Sequence, residues 1–182
     1  MVSSPAPQPN PNDALKAASL AGEIGSERRG DQWLRFFLEP NATALLLVTQ
    51  MVEVLNIPIG SIVRIPDMPP WVMGVYNWRG EVLWVFDLGH LTGLTPWYQQ
   101  ETSASTYATI VLNVGGRTVG VVVKRVEDIE LFDLADLRSP PASAVSPEMA
   151  PYLRGYWLTE AGDMLMAIDG EAILSKTAQI TA

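Results

Sequence analysis

An all-β protein made of two small barrels lying side by side is the architecture this sequence predicts. Three observations carry it. Short runs rich in Val, Ile, Leu and aromatic residues recur from Trp33 onward, bounded by Gly, Pro, Asn and Asp. Turn signals return about every 8–12 residues, the rhythm of sandwiches and barrels. The runs also fall into two groups separated by a polar connector, Thr95 to Ser105. No segment repeats at a fixed period, so a repeat array is not expected.

The elements follow in order. Residues 1–31 read as a flexible, largely disordered tail, because Pro5, Pro7, Pro9 and Pro11 block regular structure. Within it Asp13–Ala21 has helix-forming composition behind Asn12 or Asp13 as a cap, but is short enough to be marginal alone. Trp33–Leu38 is a first strand, Thr43–Thr49 a second and Met51–Leu55 a third. Ile62–Ile65 precedes a Pro-rich bend at 66–70, and Trp71–Val75 leads into a loop at Tyr76–Gly80, where Gly80 supplies a positive φ. Glu81–Phe86 is a strand, after which Asp87 caps a short helix, Leu88–Leu91, closed by Gly93. In the second group Tyr107–Val114 and Thr118–Val123 flank Gly115-Gly116, a strong hairpin signal, and Val126–Ile129 extends the set. Ser139–Met149 is a long loop. Gly155–Leu158 and Met164–Ile168 form another hairpin, and Asp169 caps a last short helix ending at Leu174. These readings divide the chain into a first barrel over roughly 42–100 and a second over roughly 101–170. The N-terminal strand and terminal helix lie at their junction, and a tail covers 177–182.

Composition narrows the function. With 48% hydrophobic residues, the chain can bury a real core. Its formal net charge of -8 disfavours nucleic acid and anionic membrane as partners. There is no cysteine, which excludes disulfides and thiolate metal sites. The longest apolar run, Ala44–Val48, is far short of a span of ~20 residues, so membrane insertion is not expected. The leader lacks the pattern of a secretory signal, and cytoplasmic residence is the expectation.

Catalytic constellations are hard to assemble. His90 is the sole histidine, with no ligand-spaced partner for a metal and no third group for a triad. Gly115-Gly116-Arg117 lies between strands, so it reads as a turn rather than a phosphate cradle. Asp87, Asp128, Asp133, Asp136 and Asp169 are scattered, and capping accounts for Asp87 and Asp169. No cofactor is called for.

The concentrated signal is Pro69–Leu88, which holds Trp71, Trp78 and Trp84 together with Tyr76, Phe86 and Arg79. Trp, Tyr and Arg dominate binding hot spots, yet the same aromatics can fill a barrel. On the strand Glu81–Phe86, Val82, Trp84 and Phe86 share one face while Glu81, Leu83 and Val85 share the other. Both faces are largely apolar, so at least one must meet a sister barrel or a partner. Core and surface both stay open for Trp78 and Trp84.

These residues resemble the CheW-like family of bacterial coupling proteins. The family's hallmark block is matched at Ile65, Pro66, Pro69, Gly74, Val75, Asn77, Arg79, Gly80, Val85, Asp87 and Leu88. Val52–Leu55, Gly120–Val126, Tyr152–Gly155 and Met164–Leu174 resemble further family elements, so the likeness covers roughly 32–176. Trp84 stands where the family usually has proline, and Lys124 where it has aspartate. The block Tyr76–Glu81 with Trp84 resembles variants from cyanobacterial phototaxis and pilus-motility systems.

The resemblance implies two SH3-like five-stranded barrels around a shared core, and a non-catalytic adaptor with two partners. One is the signalling tip of a chemoreceptor or photoreceptor, implied to contact Arg79, Asn77, Glu53 and Val52. The other is the regulatory domain of a CheA-type histidine kinase, implied to lie near Gly74, Val75 and Trp78. An amphipathic helical tip suits an apolar groove with a few fixed polar groups, and the planar Arg79 fork suits a carboxylate or helix carbonyls. Competing readings are an internal pair of Arg79 with Glu81 or Asp87, and an Asn77 that only stabilises its own turn. The alternative function is a small-ligand-binding β-barrel with an aromatic pocket. A carboxylate-dependent enzyme would need two acids converging in one cleft.

Overall fold

Among the described residues ten strands sort into two five-stranded sheets, each curled into an SH3-like barrel, as the fold class required. The structure is a computed structural model describing residues 30–100 and 103–181. The expectations for residues 1–29 therefore lie outside the described residues. The strands are β1 (Asp31–Glu39), β2 (Ala42–Leu47), β3 (Met51–Pro58), β4 (Val72–Trp78) and β5 (Glu81–Asp87), then β6 (Thr106–Val114), β7 (Arg117–Val123), β8 (Arg125–Phe132), β9 (Leu153–Leu158) and β10 (Met164–Ile168). Among the described residues two α-helices, α1 (Leu88–Leu91) and α2 (Gly170–Thr181), follow β5 and β10.

The division of the chain near residue 100 does not hold. The first barrel runs β3-β6-β7-β5-β4, and the second runs β8-β1-β2-β10-β9. Thus β6 and β7, expected in the second barrel, complete the first, and the N-terminal β1–β2 hairpin completes the second. The physical reason is the parallel pairing of β5 with β7 and of β10 with β2. Parallel neighbours cannot be joined by a tight turn, so each barrel takes a hairpin from elsewhere in the chain. Both barrels share one pattern of pairings, and each is closed by an isolated bridge, Val63 to Val75 in the first and Arg138 to Tyr156 in the second. The repeat absent from the sequence is present in the connectivity.

Other expectations shift locally. Ile62–Ile65 supplies only the bridge at Val63, not a strand. The stretch expected as a loop at Tyr76–Gly80 is mostly strand, since β4 runs to Trp78 and only Arg79-Gly80 turns. Gly115 and Gly116 form the expected hairpin turn, with φ of 60° and 77°. The terminal helix continues past Leu174 to Thr181, replacing the expected tail at 177–182 as far as residue 181. Its last turns are held because Thr177 is buried, with its hydroxyl donating to the carbonyls of Ile173 and Leu174, and because Ile180 packs on the core.

Three apolar clusters hold the molecule. Ile57, Leu83, Val85, Tyr107, Val111 and Val122 fill the first barrel. Trp33, Leu45, Trp157, Leu165 and Ala167 fill the second. The largest lies between them, where Phe86, Ile110, Leu112, Val119 and Val121 meet Leu34, Phe36, Leu38 and Leu46. Strands β1, β2, β6 and β7 are consequently apolar on both faces. Each fully buried side chain of this size stabilises by about 1.5–3 kcal/mol.

Asp87 anchors the far end of the first barrel. One carboxylate oxygen accepts from the His90 backbone N–H at 3.0 Å, capping α1, and the other from the Trp97 N–H at 2.6 Å. Burial pushes its pKa above the ordinary value of 3.8, against a partial pull downward from those donors. The native state thus holds the proton more tightly than the unfolded chain, so this group's contribution to stability falls as pH rises through that interval. Asp87→Asn keeps only one acceptor oxygen and leaves one N–H unpaired, a cost of about 1–3 kcal/mol. Urea unfolding of the two proteins is expected to show a larger deficit for the variant near pH ~4 than near pH ~7, because only the wild type gains on protonation.

Candidate docking site

The β4–β5 hairpin carries most of the residues singled out in the sequence. Its turn, Trp78-Arg79-Gly80-Glu81, has Arg79 at φ 55° and Gly80 at φ 85°, the left-handed pair that matches strand twist in a two-residue hairpin. Arg79 is not a residue that favours this region, where an L side chain costs roughly 1–2 kcal/mol. The Asn77 side chain accepts from the Gly80 N–H at 3.0 Å and steadies the turn, the local role weighed for it above.

Arg79 pairs neither with Glu81 nor with Asp87. Its guanidinium reaches Glu53 on β3 at 2.8 Å and lies 5.1 Å from the centre of the Trp78 ring. The same Glu53 oxygen, Oε1, accepts from the Trp78 indole N–H at 2.8 Å. Trp78 points inward and packs against the first barrel's core. Glu53 therefore sits at the rim of the barrel end, holding a plug and a cation together. The Arg79 side chain remains 66% exposed, so it is presented outward with its direction set. An ion pair this exposed is worth at most about 1 kcal/mol.

Two apolar surfaces flank this brace. Val52 and Val54 project from the outer face of β3 and are exposed. Val54, with Asn56 and Ala108, faces Lys124, Arg125 and Val126 across a groove of about 330 Å³ at the barrel junction. Arg125 is fixed there by Glu127 at 2.7 Å and by stacking on Phe37 at 4.6 Å. The second surface is the outer face of β4 and β5. Gly74 has φ 136°, and a Cβ there would lie 2.2 Å from the Val63 carbonyl oxygen. Only glycine lets residues 62–64 cross β4 so closely. That crossing sets Val63 beside Val75, on the side where Val82 is 71% exposed and Asn77 is also exposed.

Arg79 and Glu53 are thus in contact, with Asn77 on β4 just before the turn, while Val52 projects from the face of β3 opposite Glu53. Gly74, Val75 and Trp78 do not share a face, since Gly74 is buried, Val75 points outward and Trp78 inward. Sequence reasoning missed Val54, Asn56, Ala108, Val63 and Val82. The doubly apolar β5 was the available sign for Val82, whereas the others depend on which strands meet. Trp84 is half-buried and packs against the inter-barrel cluster.

No group of three potential metal ligands occurs among the described residues. Asp133 and Asp169 cap backbone N–H groups, as Asp87 does. No described helix is long and apolar enough to cross a membrane. The junction between the barrels is packed with side chains. A cleft of about 500 Å³, lined by Trp97, Tyr98 and Tyr107, opens at the Asp87 end of the first barrel.

The fold and site thus present paired SH3-like barrels with a filled junction, exposed apolar surfaces and a braced arginine. The chain belongs to the CheW-like domain family, whose model matches residues 32–178. It is 34% identical over 117 residues to the chemotaxis protein CheW of Klebsiella aerogenes, covering 63% of this chain and 66% of that one. It is 29% identical over 112 residues to a probable chemotaxis protein CheW of Rhizobium etli, covering 62% and 68% respectively. The chain therefore spans about two thirds of the length of each relative. The crystal structure of the scaffolding protein CheW from Thermoanaerobacter tengcongensis superposes with a TM-score of 0.64 at 22% identity, over 77% of this chain and 89% of that one, so the two share the fold.

Two substitutions separate architecture from presentation. Gly74→Ala should lower the free energy of urea unfolding by about 3 kcal/mol, through the clash with Val63 and the strained backbone. Arg79→Gly relieves the turn and loses a weak ion pair, so unfolding stability should stay within about 1 kcal/mol of wild type.

Proposed function

We propose that this protein is a non-catalytic coupling protein joining the signalling tip of a methyl-accepting-type receptor to the regulatory domain of a CheA-type histidine kinase. The observation that carries this reading is an exposed arginine, Arg79, aimed by Glu53 and Trp78 between two separate apolar surfaces on one barrel. An apolar groove with a fixed cation on its rim suits one face of a helical hairpin, and the groove of Val54 and Ala108 with Arg125 has that character, with Val52 exposed on the same face of β3 and Arg79 held by the neighbouring Glu53. The flatter surface of Val63, Val75 and Val82 suits a partner domain with a complementary apolar face. Val52, Glu53, Asn77 and Arg79 are assigned to the receptor side. Gly74 and Val75 are assigned to the kinase side, Gly74 by shaping the surface and Trp78 by supporting it from within.

The names of the relatives support a role in chemotaxis-type signalling. The Tyr76–Glu81 block with Trp84 supports a light-driven or pilus-motility system as the setting. Cytoplasmic residence, without nucleic acid or membrane insertion, fits the net charge of -8 and partners of this kind.

Pull-down with a receptor signalling fragment and with the kinase regulatory domain tests the assignment. Arg79→Glu should keep the wild-type circular dichroism spectrum and lose receptor capture by at least ~10-fold. Val82→Asp should lose kinase capture while keeping receptor capture. Wild-type capture of both partners by both folded variants would defeat the reading.

A further inference from the structure

The cleft at the Asp87 end of the first barrel stands apart from both apolar surfaces, sharing only Trp97 with the groove beside β3. Its volume of about 500 Å³ is that of a small-molecule site. The rings of Trp97, Tyr98 and Tyr107 line it together with Met68 and Met73, and Trp97 stands edge-on to Tyr107 with ring centres 4.4 Å apart. Three charged residues, Arg64, Asp67 and Asp87, also face it, and none of them enters an ion pair among the described residues.

Two of those charges flank one hydroxyl. Burial raises the Tyr107 pKa above its ordinary value, while Arg64 pulls it down and Asp87 pushes it up. The phenol thus lies within reach of a cation and an anion that do not meet each other. A carboxylate offers about four lone-pair sites, and the backbone N–H groups around Asp87 do not fill them all. Asp87 is buried, and a buried carboxylate without a cation is costly, so an ammonium beside it is favoured. The aromatic rings attract the same ammonium. Arg64 is exposed and free to turn its planar fork toward a carboxylate. The methionines adapt to an apolar body of irregular shape. Because both protein charges act on one phenol, the two charges of a matching ligand must lie close together, as they do in an α-amino acid. Asp67, the third charge, is exposed and hydrated.

We propose that this cleft binds a free α-amino acid with an apolar side chain. Its ammonium sits on Asp87 among the aromatic rings, its carboxylate meets Arg64, and its side chain lies against Met68, Met73 and Val72. The site stands independently of the coupling role, since its charged residues are not those assigned to receptor or kinase.

Saturation-transfer NMR and calorimetry on the full-length protein, with L-phenylalanine as the probe, test this. The free amino acid should show saturation transfer to its ring protons. N-acetyl-L-phenylalanine, which lacks the ammonium, and L-phenylalanine amide, which lacks the carboxylate, should each bind at least ~10-fold more weakly. Arg64→Gln alters an exposed side chain and should keep the wild-type circular dichroism spectrum. It should weaken L-phenylalanine to the level of the amide and leave the amide itself unchanged, so that one contact accounts for both losses. Absence of transfer at millimolar probe, equal binding of the N-acetylated compound, or full affinity in folded Arg64→Gln would overturn the proposal. Binding of n-butylammonium as strong as that of L-phenylalanine, without dependence on Arg64, would overturn it too and assign the cleft to a cationic side chain of a protein partner.

Discussion

The apolar layer between the barrels is the constraint from which the rest of the structure follows. Phe86, Ile110, Leu112, Val119 and Val121 on one side and Leu34, Phe36, Leu38 and Leu46 on the other are buried nearly completely. This layer uses the outward faces of strands whose inward faces already fill a barrel. Neither barrel could expose such faces to water and remain monomeric. Joining them consumes the outer faces of β1, β2, β6 and β7, and so decides which strands stay free. The edges β3 and β8 carry part of what is left over, with Val52 and Val54 exposed on the one and Ile129 and Leu131 on the other.

Within that frame a few polar contacts control presentation rather than stability. Glu53 is the clearest case. One oxygen binds both the Trp78 indole and the Arg79 guanidinium, so an inward aromatic and an outward cation share a single acceptor. The energy involved is small, because the pair is wetted. Its effect is to keep a long, flexible side chain pointing one way, at a turn position whose backbone favours glycine.

Glycine at position 74 acts on a larger scale. It allows residues 62–64 to lie against β4 at a distance no side chain would permit, which closes the first barrel and brings Val63 next to Val75. The second barrel makes the same closure at Gly155, where an added Cβ would meet the Arg138 carbonyl at 2.6 Å. The two barrels thus repeat both connectivity and device, although their sequences show no period.

Much of this was legible in the residues. Alternating apolar runs and Gly-rich turns determined the all-β class, the hairpin at Gly115-Gly116, and the cap at Asp87, since each rests on neighbours within a few positions. The two apolar faces of β5 already required a second contact. The hallmark block placed Arg79 and Gly80 on a turn, although Asn77, expected there too, lies on β4. What the sequence could not decide was partnership. Strand runs do not state which distant run they pair with, so the swap of β6–β7 and β1–β2 between barrels was invisible. So was the choice of Glu53, 26 positions from Arg79 in the sequence, over nearby Glu81. The groove of Val54 and Ala108 against Lys124–Val126 likewise exists only once β3, β6 and β8 have been brought together. Local chemistry is written in short windows of sequence, whereas surfaces are made by long-range packing, and this protein's exposed apolar surfaces are of the second kind.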